Sequence, residues 1–127
     1  MKESKTFSFK TRLHSFRHAF HGLKILFKHE HNARIQLFIA IMVVAVGLWL
    51  CLNTWEWAMI IIAIALVFVT EIINSAIEYL SDHVSIDFHE TIKIVKDLSA
   101  AAVLVAAMAS VAVGLFIFLP KILTKLL

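Results

Sequence analysis

Three long apolar stretches limit the folds open to this chain. They cover residues 37–52, 57–80 and 98–119 of the 127, and a helix needs ~20 mainly apolar residues to cross the ~30 Å hydrocarbon core of a bilayer. The chain is 61% hydrophobic and holds only three glycines and one proline, so it has few residues for turns between strands. The sequence therefore predicts an all-α integral membrane protein, a helical bundle with three transmembrane helices.

The segment before the first apolar stretch predicts a different kind of helix. In residues 1–34, large apolar side chains recur every three or four positions between Lys, Arg and His. This pattern is typical of an amphipathic helix lying in the membrane interface. A nucleic-acid patch is the alternative, and the membrane helices that follow directly disfavour it. We interpret the histidines crowded here as interface residues rather than metal ligands.

We predict a single domain over residues 1–127. It consists of the interfacial helix (1–34), a first span (35–52), a second span (57–80), a loop with a helix start (81–97), a third span (98–119) and a tail (120–127). Eight of the twelve Lys and Arg lie in residues 1–34. Because cytoplasmic loops carry an excess of these residues, the amino terminus and residues 80–97 should be cytoplasmic. Lys121 and Lys125 then lie outside, against this rule.

Polar side chains interrupt the second apolar stretch within the segment TEIINSAIEYLSD. Their spacing of three or four residues, with one adjacent pair, places them on one face of a helix: Glu71, Asn74, Ser75, Glu78 and Asp82. A charge at mid-membrane costs at least ~2.5 kcal/mol. The stripe therefore favours a functional site, and a purely structural polar seam between helices is the alternative.

Carboxylates at this place have two chemical uses. They bind Mg²⁺ together with substrate phosphates, and a desolvated carboxylate can act as a general base. Lys96, beside Asp97, supplies a cation for phosphate, so the pattern favours phosphoryl transfer at a membrane surface. The sequence has no GxxxxGK[ST] loop and no Gly-rich phosphate flap. A proton-coupled transporter subunit, which would also use carboxylates, stays open at this point.

Two segments carry a family resemblance. EIINSAIEYLSD and HETIKIVKDLSAAAVL resemble the prokaryotic diacylglycerol kinase family, and the similarity covers nearly the whole chain. That family comprises small homotrimeric membrane kinases, which phosphorylate a lipid hydroxyl with Mg-ATP. The resemblance implies a lipid kinase of the bacterial inner membrane with ATP as cosubstrate, Mg²⁺ as cofactor and a cytoplasmic active site. We expect no nucleic-acid partner, because the membrane helices follow the basic segment directly.

The resemblance also implies roles for the acidic residues. Glu71 matches the catalytic base, which takes the proton of the lipid hydroxyl, and Asn74 matches the residue that shapes the phosphate site. Glu30 and Glu78 match the pair that coordinates the metal and contacts the nucleotide. Asp82 aligns with a further acidic residue of the family segment, whose role is left open.

Further contacts follow from the same resemblance. Nucleotide contacts are expected at Lys96, Asp97, Asp87, Phe88 and His89. Substrate contacts are expected at Glu71, Ala100, Arg34 and Phe20. Without the resemblance, Lys96 could simply mark a cytoplasmic helix start, and His89 could be an exposed loop histidine.

Ala100 bears on the substrate. It lies three positions after the aspartate of the KD pair, where diacylglycerol-specific members have serine and the undecaprenol kinase branch has alanine. The segment FLPKI also resembles that branch. The resemblance therefore favours undecaprenol as substrate, with diacylglycerol second and a non-enzymatic transporter subunit a distant third. Thr11 and His18 stand where the family has an arginine and a tyrosine, which leaves the lipid-head and adenine contacts open.

Small residues recur every four positions in the third apolar stretch: Ala102, Ala106, Ser110 and Gly114. Such a stripe lets helix backbones approach closely. We interpret it as a contact of the homotrimer, which would seal the polar stripe between subunits. Close packing within one subunit is the alternative.

Overall fold

The structure, a computed structural model, describes residues 6–84, 86–87 and 89–127. Within these ranges the chain forms four α-helices and no strand: α1 (Phe9–His29), α2 (His31–Trp49), α3 (Thr54–Val84) and α4 (Glu90–Leu126). By length and composition, α2, α3 and α4 can each cross a membrane. The prediction of an all-α fold with three apolar spans is confirmed.

The helix ends differ from the predicted segments. α1 ends at His29, because Glu30 is extended (φ −98°, ψ 114°) and the chain re-enters a helix at His31. α3 and α4 have 31 and 37 residues, which corresponds to ~47 Å and ~56 Å at a rise of ~1.5 Å per residue. Both exceed the ~30 Å core. Each of the two helices is therefore long enough to extend beyond the core at one end or at both.

α3 is the central helix, since it contacts each of the other three. Against α4, the hydroxyl of Ser110 forms a hydrogen bond with the carbonyl oxygen of Ala63, 3.1 Å away, and Ala106 is buried nearby. Ala106 and Ser110 of the small-residue stripe thus pack against α3 within the chain. This is the alternative to a contact between subunits. Ala102 of the same stripe is exposed.

α1 lies against this bundle through one side only. Leu26 is buried, and the ring of Phe27 meets that of Phe68 on α3 edge to face, with centroids 5.9 Å apart. The apolar stripe on the rest of α1 is exposed: Phe9, Leu13, Phe16 and Phe20. This exposed apolar stripe is what a helix at the membrane interface presents to lipid.

The two lysines that oppose the orientation rule have partners at the far end of the bundle. Lys121 Nζ lies 2.9 Å from Glu56 Oε2. Lys125 Nζ donates to the carbonyl oxygen of Trp49 at 2.8 Å and lies 4.4 Å from the Trp49 ring centroid. The carbonyl groups of a helix C-terminus need such donors, so these lysines join α4 to the α2–α3 hairpin.

Gly47 allows the α2–α3 hairpin to close. A Cβ there would lie 2.9 Å from Trp57 Cη2 and 3.0 Å from Leu52 Cδ1. We expect Gly47→Val to lower the free energy of unfolding by about 1–3 kcal/mol, the usual cost of overpacking. Unfolding in mixed micelles, followed by circular dichroism, would measure this. Gly22→Val is the matched control, since nothing lies within 4 Å of that position; equal losses in both variants would contradict the prediction.

Candidate active site

Glu71 on α3 is buried inside the bundle, with only 1% of its surface exposed. Its Oε2 accepts a hydrogen bond from Nε2 of Gln36 on α2, at 2.8 Å. Burying a charged group without a partner is costly, and the amide of Gln36 supplies a donor. The carboxylate is therefore held in the interior, where α2 meets α3, rather than directed toward lipid.

Asn74 lies one turn further along and connects α3 to α4. Ser99 Oγ is 2.7 Å from Asn74 Oδ1, and both residues are buried. The amide nitrogen Nδ2 of Asn74 faces Glu78 Oε1 at 3.5 Å, a long and weak contact. Ser99 donates a hydrogen bond to the amide oxygen of Asn74. The amide nitrogen of Asn74 is therefore the atom that faces the carboxylate of Glu78.

Glu30 and Glu78 are the expected metal ligands, and both are half-buried. Glu30 lies at the break between α1 and α2, and Glu78 two turns beyond Glu71. Among the residues that the structure describes, no three His, Cys, Asp or Glu side chains are grouped closely enough to hold a metal ion. Mg²⁺ takes carboxylate oxygens but usually completes its shell with phosphates and water. The donor chemistry therefore fits Mg²⁺ that arrives with a nucleotide.

Lys96 and Asp97 do not bond to each other. Lys96 Nζ lies 2.8 Å from Asp82 Oδ1, which joins the start of α4 to the end of α3, and Asp97 Oδ2 lies 2.6 Å from Lys93 Nζ. Exposed ion pairs of this kind are weak, because water and salt screen them. A more highly charged anion such as a phosphate could therefore displace Asp82 from Lys96.

The other expected nucleotide contacts lie in the connection between α3 and α4. Asp87 and His89 are exposed, and His89 directly precedes α4. Phe88 lies outside the described residues. These exposed positions are on the same end of the bundle as Asp82 and Lys96.

The expected substrate contacts are more scattered. Ala100 is exposed on α4, directly after the buried Ser99. Arg34 donates through Nη2 to the carbonyl oxygen of Lys28 at 2.8 Å, so it caps the last turn of α1 rather than reaching the buried carboxylate. Phe20 is 69% exposed on α1.

An apolar cavity of about 260 Å³ lies between α2, α3 and α4. Its wall is formed by residues from all three helices, among them Ala40, Val67, Ala107 and Gly114. Gln36 also lines it. Because the same glutamine bonds to Glu71, the cavity leads along the helices to the neighbourhood of the buried carboxylate.

Two of these residues were missed by reasoning from the sequence. The sequence pattern assigns no role to Gln36 or to Ser99. Each is a polar residue next to apolar neighbours, which was the available signal. Their partners lie on other helices, and the spacing within one helix does not predict such contacts.

The comparison with known proteins adds to this geometry. Residues 17–118 match the family described as prokaryotic diacylglycerol kinase. The chain belongs to the prokaryotic diacylglycerol kinase family. This confirms the resemblance that the two sequence segments carried. Together with the three apolar helices, it makes this family member a multi-pass membrane protein.

Two relatives within this kinase family are similar over part of their length. The diacylglycerol kinase of Synechocystis sp. is 36% identical over 111 residues, which cover 87% of this chain and 63% of the relative. The undecaprenol kinase of Bacillus subtilis is 43% identical over 56 residues, or 44% of this chain and 46% of the relative. The aligned part of the chain thus spans less than two thirds of either relative.

Proposed function

We propose that the chain is an integral-membrane lipid kinase, which transfers the γ-phosphate of ATP to the hydroxyl of a membrane lipid alcohol. The observation that carries this proposal is the buried carboxylate of Glu71, hydrogen-bonded to Gln36 beside an apolar cavity. A lipid hydroxyl that enters by way of this cavity can meet the carboxylate. The family and the names of both relatives support a kinase; a transporter subunit has no support in them.

The chemical step uses Glu71 as general base. The lipid hydroxyl donates its proton to the free carboxylate oxygen, Oε1, while the lipid oxygen bonds to the γ-phosphorus. The bond from the γ-phosphorus to the oxygen bridging to the β-phosphate breaks, and ADP leaves. A positioned base contributes about 10²–10⁴-fold to such a step.

Charge neutralisation falls to the residues near the ends of α3 and α4. Glu30 and Glu78 would hold Mg²⁺ with the ATP phosphates, and this ion supplies positive charge against the phosphate oxygens. Lys96 leaves its ion pair with Asp82, binds a phosphate of ATP and so adds a second positive charge. Asn74 orients Glu78 through its amide group.

The remaining expected contacts complete the proposal. Asp97, Asp87 and His89 contact the nucleotide on the exposed side of the site. α1 covers the site from the membrane surface and excludes water. Arg34 and Phe20 would contact the lipid head only if the α1–α2 corner moves, since Arg34 bonds to Lys28.

The assembly and location form part of the same proposal. The chain forms a homotrimer in the bacterial inner membrane, with the site on the cytoplasmic side. Eight of the twelve Lys and Arg lie in residues 1–34 of the sequence, which supports a cytoplasmic amino terminus. Large apolar side chains on α2 and α4 are exposed, including Phe38, Leu104 and Phe116, and they are available to lipid or to further copies.

Undecaprenol is the proposed substrate, because of the alanine at position 100, and diacylglycerol is second. Purified protein in mixed micelles would receive radiolabelled Mg-ATP and equal mole fractions of the two lipids. We expect label to enter undecaprenyl phosphate faster than phosphatidic acid. The reverse order would make diacylglycerol the substrate. Absence of label from every lipid alcohol offered would overturn the lipid kinase proposal.

A further inference from the structure

Gln36 makes an unusual pair with the buried carboxylate. Its Nε2 donates to Glu71 Oε2 at 2.8 Å, whereas its Oε1 is buried and has no hydrogen-bond partner among the described residues. Buried polar atoms are nearly always paired, and an unpaired one destabilises the fold. Methionine, of similar size, would remove this unpaired oxygen but would leave the buried carboxylate of Glu71 without its donor. The bond to Glu71 accounts for the amide nitrogen at this position, whereas stability does not account for the unpaired amide oxygen.

The surroundings of Glu71 leave the amide of Gln36 as its partner. In the part of the chain that the structure describes, no Lys, Arg or His forms an ion pair with Glu71. The hydroxyl of the neighbouring Thr70 bonds to carbonyl oxygens of its own helix. Asn74 is turned toward Ser99 and Glu78. Among the described residues, the amide of Gln36 is thus the one hydrogen-bond partner found for the carboxyl group of Glu71.

We propose that Gln36 is a positioning residue that serves Glu71 in both of its protonation states. The inference rests on the proposed function. In the ionised state, the amide nitrogen holds Oε2, so that Oε1 stays free to take the proton of the lipid hydroxyl. Once Oε1 carries that proton, the amide oxygen of Gln36, unpaired until then, can accept a hydrogen bond from the new O–H. An amide supplies both a donor and an acceptor, which an apolar residue or a carboxylate does not.

Turnover of Gln36→Met tests the inference first. Methionine keeps the size of the side chain and removes both hydrogen-bonding groups. We expect kcat to fall about 10- to 100-fold, because a base held less accurately reacts more slowly. The KM for Mg-ATP and for the lipid should stay within about twofold. The thermal midpoint should fall, because the buried carboxylate of Glu71 loses its hydrogen-bond donor. Thr70→Val is the matched control and should keep kcat within about twofold.

A second measurement does not depend on turnover. A hydrophobic carbodiimide reacts with protonated carboxyl groups, and mass spectrometry of the protein in lipid nanodiscs without nucleotide would follow labelling of Glu71. In either protonation state, the carboxyl group must leave the amide of Gln36 before the reagent can attack it, so loss of the amide removes a barrier to labelling. We therefore expect Gln36→Met to label several-fold faster than the unsubstituted protein, and Thr70→Val to label at the unsubstituted rate.

The two measurements separate the possible results. A lower kcat with faster labelling supports the inference. Unchanged labelling overturns it, including the case in which kcat and the thermal midpoint fall together through lost packing. Faster labelling with unchanged kcat also overturns it, because the pair then has no role in turnover. If the unsubstituted protein phosphorylates no lipid alcohol, the proposed function fails. The labelling rates then decide by themselves whether Gln36 holds the carboxyl group of Glu71.

Discussion

Glu71→Gln is expected to lower lipid phosphorylation by about 10²–10⁴-fold, the usual contribution of a general base. Glutamine keeps the size of the side chain, and its amide oxygen can still accept the hydrogen bond from Gln36. The bundle should therefore remain folded. Binding of ATP should persist, because Glu71 acts on the lipid hydroxyl and not on the nucleotide.

Turnover with radiolabelled ATP and equilibrium binding of a fluorescent ATP analogue would be measured side by side for this variant. Glu56→Gln is the matched control. It changes a carboxylate at the opposite end of α3, where Glu56 bonds to Asn53 and Lys121, and it should keep the unsubstituted kcat. Loss of ATP binding in Glu71→Gln, or retained turnover, would show that Glu71 is not the base.

Glu78→Gln is expected to change the metal dependence instead. The amide removes a charged oxygen ligand, and Mg²⁺ affinity depends on the number of such ligands. The Mg²⁺ concentration for half-maximal turnover should rise at least about tenfold, and nucleotide binding should weaken with it. Saturating Mg²⁺ should restore part of the rate, because the base is unchanged.

A Mg²⁺ titration of turnover at fixed ATP would test this second substitution. Glu90→Gln is its control, since Glu90 is an exposed carboxylate in the first turn of α4 outside the proposed site. A titration curve for Glu78→Gln that matches that of the unsubstituted protein would contradict the metal assignment. Taken together, the Glu71 and Glu78 substitutions separate base catalysis from charge neutralisation within one helix face.

The polar stripe on α3 holds the helices together as well as providing the proposed chemistry. Glu71 bonds to α2 through Gln36, and Asn74 bonds to α4 through Ser99. Hydrogen bonds between membrane helices contribute roughly 0.6–2 kcal/mol each. A structural seam and a functional site were opposed as alternatives for this stripe. The geometry fits both, because the bonds that join the helices also position the two acidic side chains.

Some pairings within the site were beyond prediction from the sequence. Lys96 and Asp97 are neighbours in the chain, yet Lys96 pairs with Asp82 and Asp97 with Lys93. The two side chains leave the helix in different directions, and their partners depend on how α4 is rotated against α3. Likewise, Ala106 and Ser110 could face another subunit or α3, and only the packing of α4 shows that they face α3.

The membrane class, the three apolar spans, the helical face that carries Glu71 and Glu78, and the family all follow from the amino-acid sequence. These properties are local, because hydropathy, segment length, helical periodicity and a sequence motif each depend on one continuous segment of the chain. Only the tertiary structure decided that Gln36 and Ser99 hold the polar stripe, and that the chain breaks into two helices at Glu30. Contacts between helices depend on their tilt and rotation, which the packing of all the side chains sets together.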